Sequence, residues 1–94
     1  MPVFEWDPAK NAANISKHQL DFYDAVRIFE GPVLERIDDR RDYGEDRYTA
    51  IGEAAGREIF VVYTVRAGNR RIISARKANR HERKAYREAR ANAR

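Results

Sequence analysis

The sequence predicts an α+β fold, with two N-terminal helices, one C-terminal helix and a mostly antiparallel sheet of four to five strands. Three observations predict it. The hydrophobic period is helical before Gly31 and becomes two from Val33 onward. Short turn sequences then separate successive strand patterns. The 94 residues are enough for one small domain, residues 1–94, and no more.

The N-terminal third predicts a short strand followed by two helices. Val3–Trp6 alternates in polarity, as a strand does. Asp7 fits a helix N-cap with Pro8 at the first helical position, so the first helix is predicted over Pro8–His18. Asp21 fits a second N-cap. The apolar residues after it have the spacing of one helix face: Phe22, Ala25, Val26 and Phe29.

Four strand patterns follow, and a charged loop separates the first two. The predicted strands are Val33–Asp38, Arg47–Ala54, Arg57–Arg66 and Arg71–Ala78. The segment Ile59–Tyr63 is apolar on both faces, which is typical of a strand in the middle of a sheet. Ala55–Gly56 and Ala67–Asn69 have the composition of turns.

A final helix is predicted over about Arg80–Ala91, because Asn79 and Glu82 have the spacing of a capping box. Its apolar residues are few: Ala85, Tyr86 and Ala89. We therefore expect this helix to be loosely docked unless a partner covers it.

Composition excludes several classes of protein. The chain has no cysteine, so it has neither disulfides nor thiolate metal sites. No apolar run reaches the ~18 residues of a membrane helix, and the start has no signal-peptide pattern. The sequence also contains no glycine-rich phosphate loop and no nucleophile elbow. We expect a soluble cytoplasmic protein with no membrane partner.

Charge is divided unevenly along the chain. Residues 1–46 contain 6 basic and 11 acidic residues, whereas residues 47–94 contain 13 basic and 4 acidic ones. Arginine supplies 15 of the 19 basic residues, and its planar fork suits phosphates and carboxylates. The pattern favours a nucleic acid or an acidic partner that occupies the same surface, although a solvated basic face would also give it.

The tight turn sets the register of the longest hairpin. If Ala54 pairs with Arg57, Tyr48 lies opposite Tyr63, and alternation divides the hairpin into two faces. The first, which we call the core face, carries Tyr48, Ala50, Ile59, Val61, Tyr63 and Val65. The second, the mixed face, carries Glu45, Arg47, Thr49, Ile51, Phe60, Val62, Thr64 and Arg66.

Arg76 decides which alternate residues of the last strand face the core. Burying this guanidinium on the core face without a partner would cost several kcal/mol, so we expect Arg76 on the mixed face. A loop with an odd number of residues after Arg66 then places Ile73 and Ala75 in the core and Ile72 and Ser74 on the mixed face. The prediction is that Arg47, Arg66 and Arg76 surround one phosphate there, with Glu45 at the rim.

Three segments resemble one known family. They are FEWDPAKNAANISKH, YGEDRYTAIG and VVYT…RIISARKA…ER..Y, and together they span nearly the whole chain in order. They resemble the BrnT-type toxins of bacterial type II toxin–antitoxin systems. The resemblance implies a RelE-like fold and a metal-independent ribonuclease activity that stops translation. It also implies a BrnA-type antitoxin with a ribbon-helix-helix part, and repression of operator DNA only through the toxin–antitoxin complex.

By position, the resemblance places the family's functional patches on the segment Gly44–Arg47, Arg66 and Arg76, with His18 near the same region. Arginines on a rigid sheet would stabilise the phosphorane formed when the RNA 2′-OH attacks phosphorus. Glu45 is either a general base or an ion-pair partner that orients Arg66. His18 is either an acid–base group or a helix C-terminal histidine that interacts with the dipole.

The remaining candidates are binding residues. We expect RNA contacts from Arg70, Arg71, Lys77 and Trp6, although Trp6 also fits a core position. We expect antitoxin contacts from Arg80, Arg83 and Arg87, unless they form a solvated face. The five carboxylates between Asp38 and Asp46 are interleaved with arginines, so we expect no metal site and no cofactor. The alternative to a ribonuclease is a non-catalytic module of the same fold that binds nucleic acid or an antitoxin.

Overall fold

A computed structural model describes residues 3–40, 42 and 44–93 of the chain. Its strands are β1 (Phe4–Glu5), β2 (Leu34–Asp38), β3 (Arg47–Ala54), β4 (Arg57–Arg66) and β5 (Asn69–Lys77). Its helices are α1 (Pro8–His18), α2 (Phe22–Ala25), a 3-10 helix (Val26–Glu30) and α3 (Arg80–Asn92). The predicted order of elements and the α+β class are confirmed.

The five strands form one sheet in the order β1-β5-β4-β3-β2. The short β1 runs parallel to its neighbour, and the other pairings are antiparallel. The sheet therefore has β4 at its centre, which agrees with the apolar run of that strand. Among the described residues, no helix is long and apolar enough to cross a membrane.

Helix α1 is fixed to the edge of the sheet through one buried amide. Asp7 caps the helix by accepting a hydrogen bond from the Ala9 N–H at 2.9 Å. One helical turn before the end, Asn14 donates to the carbonyls of Leu20 and Ala75 and accepts from the Ala75 N–H. Strand β1 pairs only with Arg70 and Arg71 of β5. Farther along β5, the Asn14 amide provides the hydrogen-bond partners of the Ala75 backbone, so it joins α1 to the sheet.

The core face is covered by α2 and the 3-10 helix. Phe22, Ala25 and Ile28 are buried there against the central strands. The predicted single helix is split at Val26, where the chain tightens to three residues per turn. In a 3-10 helix residues three apart are eclipsed, so Val26 and Phe29 both reach the core.

Gly52 permits this close packing of helix on sheet. An added Cβ at this position would lie 2.8 Å from the Cβ of Ile28 and 3.0 Å from Cγ1 of Val33. Strand β3 thus approaches the 3-10 helix closely enough that only a residue without a side chain fits.

The register predicted for the long hairpin is confirmed. Tyr48 lies opposite Tyr63, and Ala54 lies opposite Arg57. The core face buries Ala50, Ile59, Val61 and Tyr63 as expected. Val65 differs, because it lies beyond the helices at the end of β4 and remains half exposed.

Strand β5 contains a β-bulge that the sequence analysis did not predict. Tyr63 lies opposite Ile72, whereas the preceding Val62 lies opposite Ser74, so Ile73 is the extra residue. The expected positions of Ala75 in the core and of Arg76 on the mixed face are confirmed. The prediction for the two isoleucines was wrong, because strict alternation was assumed: Ile72 is buried in the core, and Ile73 packs on the mixed face.

Helix α3 covers one end of the mixed face and is more firmly held than its few apolar residues suggested. Tyr86 is 1% exposed and packs with Ile51, Phe60 and Val62. The predicted capping box of Asn79 and Glu82 is present. The helix is also fixed by two ion pairs to strand residues, Arg87 to Glu58 and Arg90 to Glu53. These carboxylates come from the β3–β4 hairpin, so tertiary structure supplies the docking that was not expected.

Candidate functional site

Charged side chains gather at the end of the mixed face that α3 leaves uncovered. Arg66 donates to Glu45 at 3.0 Å, and Arg47 lies 3.7 Å from the same carboxylate. Beside them, Arg71 donates to Glu5 at 2.7 Å. We call these five residues the Arg–Glu cluster. The side chain of Arg66 is 55% exposed, so its guanidinium is accessible to a ligand.

Strand register and one turn bring the cluster together. Arg66 is the last residue of β4, and Arg71 lies opposite Thr64, so both arginines point to the mixed face. The parallel pairing of β1 with β5 places Glu5 opposite Arg71. Glu45 follows Gly44, whose φ of 72° is left-handed, and the glycine tolerates this conformation without a Cβ penalty.

Both carboxyl groups of the cluster are held in the ionised form. The hydrogen bond from Arg66 lowers the pKa of Glu45, and the nearby charges of Arg47 and Lys10 act in the same direction. The hydrogen bonds from Arg71 and then Asn69 lower the pKa of Glu5. At neutral pH the cluster therefore has three guanidinium cations and two carboxylates, a net charge of +1 that attracts an anion.

Arg76 lies apart from this cluster. It is opposite Phe60, which is six residues from Arg66 along β4, or roughly 20 Å at the usual rise of a strand. Its guanidinium donates twice to Glu82 of α3, at 2.8 Å each, and lies 4.3 Å from the centre of the Phe60 ring. The prediction that Arg47, Arg66 and Arg76 surround one phosphate was wrong, because it used the face of the strand and not the position along it.

His18 is also separated from Glu45. It is the last residue of α1, while Lys10, near the start of that helix, is close enough to influence the pKa of Glu45. His18 follows Lys10 by eight positions, which corresponds to about 12 Å of helix. His18 is half-buried near the Ala75 end of β5, since Asn14, one turn earlier, is bound to Ala75.

Arg70 points to the opposite face from Arg71. Its guanidinium lies 4.4 Å from the centre of the Phe29 ring and 5.5 Å from that of Tyr63. Glu35 lies 3.6 Å from it and also accepts a short hydrogen bond from the Tyr63 hydroxyl. Burial, followed by this contact with Glu35, raises the pKa of Tyr63. Sequence reasoning missed this cluster, because Phe29 and Glu35 are distant in sequence from Arg70 and Tyr63.

The other predicted binding residues have varied positions. Trp6 packs on the rim of the core, with its ring 6.0 Å from that of Phe22 in an edge-to-face arrangement, as its core interpretation expects. Lys77 is exposed at the end of β5. On α3, Arg80 is exposed, whereas Arg83 donates to the Ala78 carbonyl. Arg87 of the same helix is bound to Glu58 through two hydrogen bonds.

The described part of the acidic loop does not form a metal centre. Within residues 3–40, 42 and 44–93, no group of three or more histidine, aspartate or glutamate side chains is arranged to hold an ion. Asp38 is buried and accepts two hydrogen bonds from the Arg40 guanidinium, at 2.7 and 2.9 Å. Glu45 is bound to Arg66 in turn, so arginines take up the oxygens that a metal would need.

Comparisons with known proteins show the family and the fold of the chain. Residues 6–82 match the family model described as the ribonuclease toxin BrnT of type II toxin–antitoxin systems. Among solved structures, the chain is similar to the ribonuclease toxin BrnT of Brucella abortus, with a TM-score of 0.63 and 30% sequence identity. That similarity covers 85% of this chain and 100% of the other. Comparison with curated proteins gave no significant match.

Proposed function

Because this chain belongs to the BrnT family of ribonuclease toxins from type II toxin–antitoxin systems, we propose that it cleaves RNA at the Arg–Glu cluster. The observation that carries this placement is the exposed Arg66 fork beside two further arginines on a rigid sheet end. A scissile phosphate bound there would meet guanidinium donors already oriented by carboxylates. Such preorganised donors stabilise the charge that develops in the transition state.

The proposed reaction needs no metal ion. The RNA 2′-oxygen forms a bond to the adjacent phosphorus while its proton passes to a base, and the bond from phosphorus to the 5′-oxygen breaks as that oxygen gains a proton. Arg66 and Arg47 neutralise the charge on the non-bridging oxygens. Arg71, on the same face, binds a neighbouring phosphate.

Glu45 is the proposed base, because it lies within the cluster and is ionised at neutral pH. Its lowered pKa makes it a weak base, so orienting Arg66 is its second proposed task. The distance of His18 from the cluster leaves its catalytic role as a prediction from the family resemblance.

The proposal extends to partners. A type II toxin–antitoxin system includes an antitoxin, and we propose a BrnA-type protein with a ribbon-helix-helix part that carries the operator DNA contacts. RNA cleavage in the cytoplasm would then inhibit translation until this antitoxin binds. Exposed Arg80 on α3, together with Arg83 and Arg87, is the proposed antitoxin contact, which acidic residues of the partner would complement.

A non-catalytic binding module of the same fold is the second candidate. The lowered pKa of Glu45 and the separation of His18 favour it, since neither group is a strong base at the cluster. Such a module would use the same arginines to bind RNA or an antitoxin without cleavage.

Incubation of the purified full chain with single-stranded RNA, with and without EDTA, tests the proposal. We expect cleavage that EDTA does not reduce, and a loss of about 10²–10³-fold for Arg66→Ala, the size found for removal of one transition-state donor. Arg57→Ala is the matched control, because Arg57 is an exposed arginine at the other end of β4. Binding of RNA by the wild type without any cleavage would favour the module instead.

A further inference from the structure

A cavity of about 520 Å³ lies where α2 and the 3-10 helix meet β1 and the start of β5. Apolar side chains form much of its wall, among them Phe4, Val26 and Phe29. The rings of Phe4 and Phe29 are stacked, with their centres 5.3 Å apart. A concave site of this size, with apolar walls and a few polar groups, is typical of a binding site.

Arg70 brings hydrogen-bond donors to this cavity. Its guanidinium lies 4.4 Å from the centre of the Phe29 ring and 6.0 Å from that of Phe4. Its ion-pair partner Glu35 is 3.6 Å away, which is beyond the length of a hydrogen bond. Among residues 3–40, 42 and 44–93, the guanidinium donates no hydrogen bond. The side chain is 25% exposed, so its donors are available to an acceptor from outside the chain.

The rim of the same cavity carries an aromatic ring with a carboxylate beside it. Tyr23 is 70% exposed, the highest value among the large hydrophobic residues that the structure describes. Asp24 follows it in α2, is also exposed, and lines the cavity with it. A ring next to a carboxylate is what a cavity with apolar walls and unused guanidinium donors would accept, and tyrosine and arginine are the side chains that most often anchor protein interfaces.

The charges at the cavity are balanced, as two copies of one surface require. Asp24 and Glu30 line it together with Arg27 and Arg70, so two carboxylates face two guanidinium groups and the net charge is zero. A two-fold axis brings a patch against itself, and each group then needs its complement on the other copy. A strongly acidic or basic partner would instead leave two of these four charges against a like charge.

From this surface we infer that two copies of the chain associate through the cavity, related by a two-fold axis. Each copy inserts Tyr23 into the cavity of the other, against Phe4 and Phe29, and its Asp24 accepts hydrogen bonds from Arg70 there. The interface lies on the face of the sheet opposite to the Arg–Glu cluster, so it leaves that cluster open. Arg70 is thereby a contact between protein copies, and this role does not depend on ribonuclease activity.

Sedimentation velocity of the purified full chain tests the association. The patch contains few residues, so we expect a reversible dimer with a dissociation constant of about 1–100 µM. Tyr23→Ala should raise this constant about 30- to 1,000-fold, because an anchoring side chain is lost from both copies. The ring is exposed within one copy, so unfolding at a concentration where the wild type is monomeric should not change.

Charge reversal at two positions identifies the groups that meet. Asp24→Arg sets two arginines against each other, and Arg70→Glu sets two carboxylates against each other, so each variant alone should be a monomer. Mixed in equal amounts, the two variants should form a heterodimer, because an arginine then meets a carboxylate at both contacts. A double variant with both changes should dimerise with itself.

A neutral variant keeps the test valid if the added carboxylate beside Glu35 unfolds the chain. In the Arg70→Gln background, Asp24→Arg should weaken the dimer much less than it does in the wild type. Glu88→Arg is the matched control, because it reverses one charge at an exposed position of α3 outside the cavity. It should leave the dissociation constant unchanged.

Three results would overturn the inference. A wild type that is monomeric up to about 1 mM, above the expected constant, leaves the cavity to another ligand. A dimer that neither Tyr23→Ala nor Asp24→Arg weakens has its interface elsewhere. Folded charge variants that stay monomeric when mixed exclude the contact between Asp24 and Arg70. RNA cleavage, measured in parallel, should be unaffected by Tyr23→Ala, so failure of the dimer is distinguishable from failure of the ribonuclease proposal.

Discussion

The two ends of the mixed face both carry arginine–carboxylate pairs, but the pairs have different surroundings. At the covered end, Arg87 and Glu58 lie 2.7 Å apart beside the buried ring of Tyr86. At the open end, Arg66 and Glu45 lie 3.0 Å apart, beyond the part of the sheet that α3 covers. Both arginine side chains are accessible, at 68% exposed for Arg87 and 55% for Arg66. The same interaction therefore positions a helix over an apolar strip at one end and joins two strand-end residues without a helix above them at the other. What a pair covers, rather than its geometry, indicates its task.

The largest expected effect on stability is at the covered end. Tyr86→Ala should lower the free energy of unfolding by about 3–5 kcal/mol, because it removes the buried ring that anchors α3. Urea unfolding of the full chain measures the difference. The control is Tyr23→Ala, since Tyr23 is 70% exposed, and its effect should stay within about 0.5 kcal/mol. Equal effects of the two variants would show that α3 is not held by burial.

A smaller effect is expected where α1 meets the edge of the sheet. Asn14→Ala should lower the free energy of unfolding by about 1–3 kcal/mol, because the backbone groups of Ala75 and Leu20 lose their partner. Ser16 is an exposed polar residue of the same helix, and Ser16→Ala provides the matched alanine variant. If both variants unfold at the same urea concentration, the amide does not join α1 to the sheet.

The smallest effect is expected within the open end itself and depends on pH. Arg66 lowers the pKa of Glu45 in the folded chain, so the ionised carboxyl stabilises the fold at pH values above its ordinary pKa of 4.5. This contribution is lost as the pH falls through the lowered pKa. Unfolding of the wild type and Glu45→Gln should therefore differ at pH 7 and converge in acid.

The Arg66→Ala background provides the control for this pH dependence. Without the guanidinium, the pH-dependent effect of Glu45→Gln should become smaller, because only the charges of Arg47 and Lys10 still lower the pKa of Glu45. A pH-dependent difference of the same size in this background would mean that Arg66 is not the partner that matters.

The elements that could be predicted from the sequence are those decided by neighbours in the chain. Asp7 and Pro8 marked the start of α1, and Asn79 with Glu82 marked that of α3. The register of β3 and β4 followed from one tight turn, because a two-residue loop leaves a single pairing. In each case the deciding contacts lie within a few residues of one another.

The site was harder to predict because it depends on contacts between distant segments. Arg71 joins Arg66 only because β5 begins opposite the last residue of β4, and Glu5 reaches it through a parallel strand from the N-terminus. Glu82 could be recognised as a cap but not as the partner of Arg76. The alternation of side chains predicts which face of the sheet each arginine lies on. It carries no information about how far apart two arginines lie along the strands.

The bulge at Ile73 has a consequence for insertions and deletions. Arg71 and Arg76 differ by an odd number of residues, yet both lie on the mixed face, because the extra residue between them reverses the alternation. Loss of Ile73 would restore regular pairing and keep both arginines on the mixed face, whereas regular pairing at the present length would turn one of them, with every side chain beyond it, toward the hydrophobic core. The bulge therefore absorbs one residue of β5, whereas the exposed Ala67–Gly68 turn before it constrains which residues can adopt its left-handed backbone.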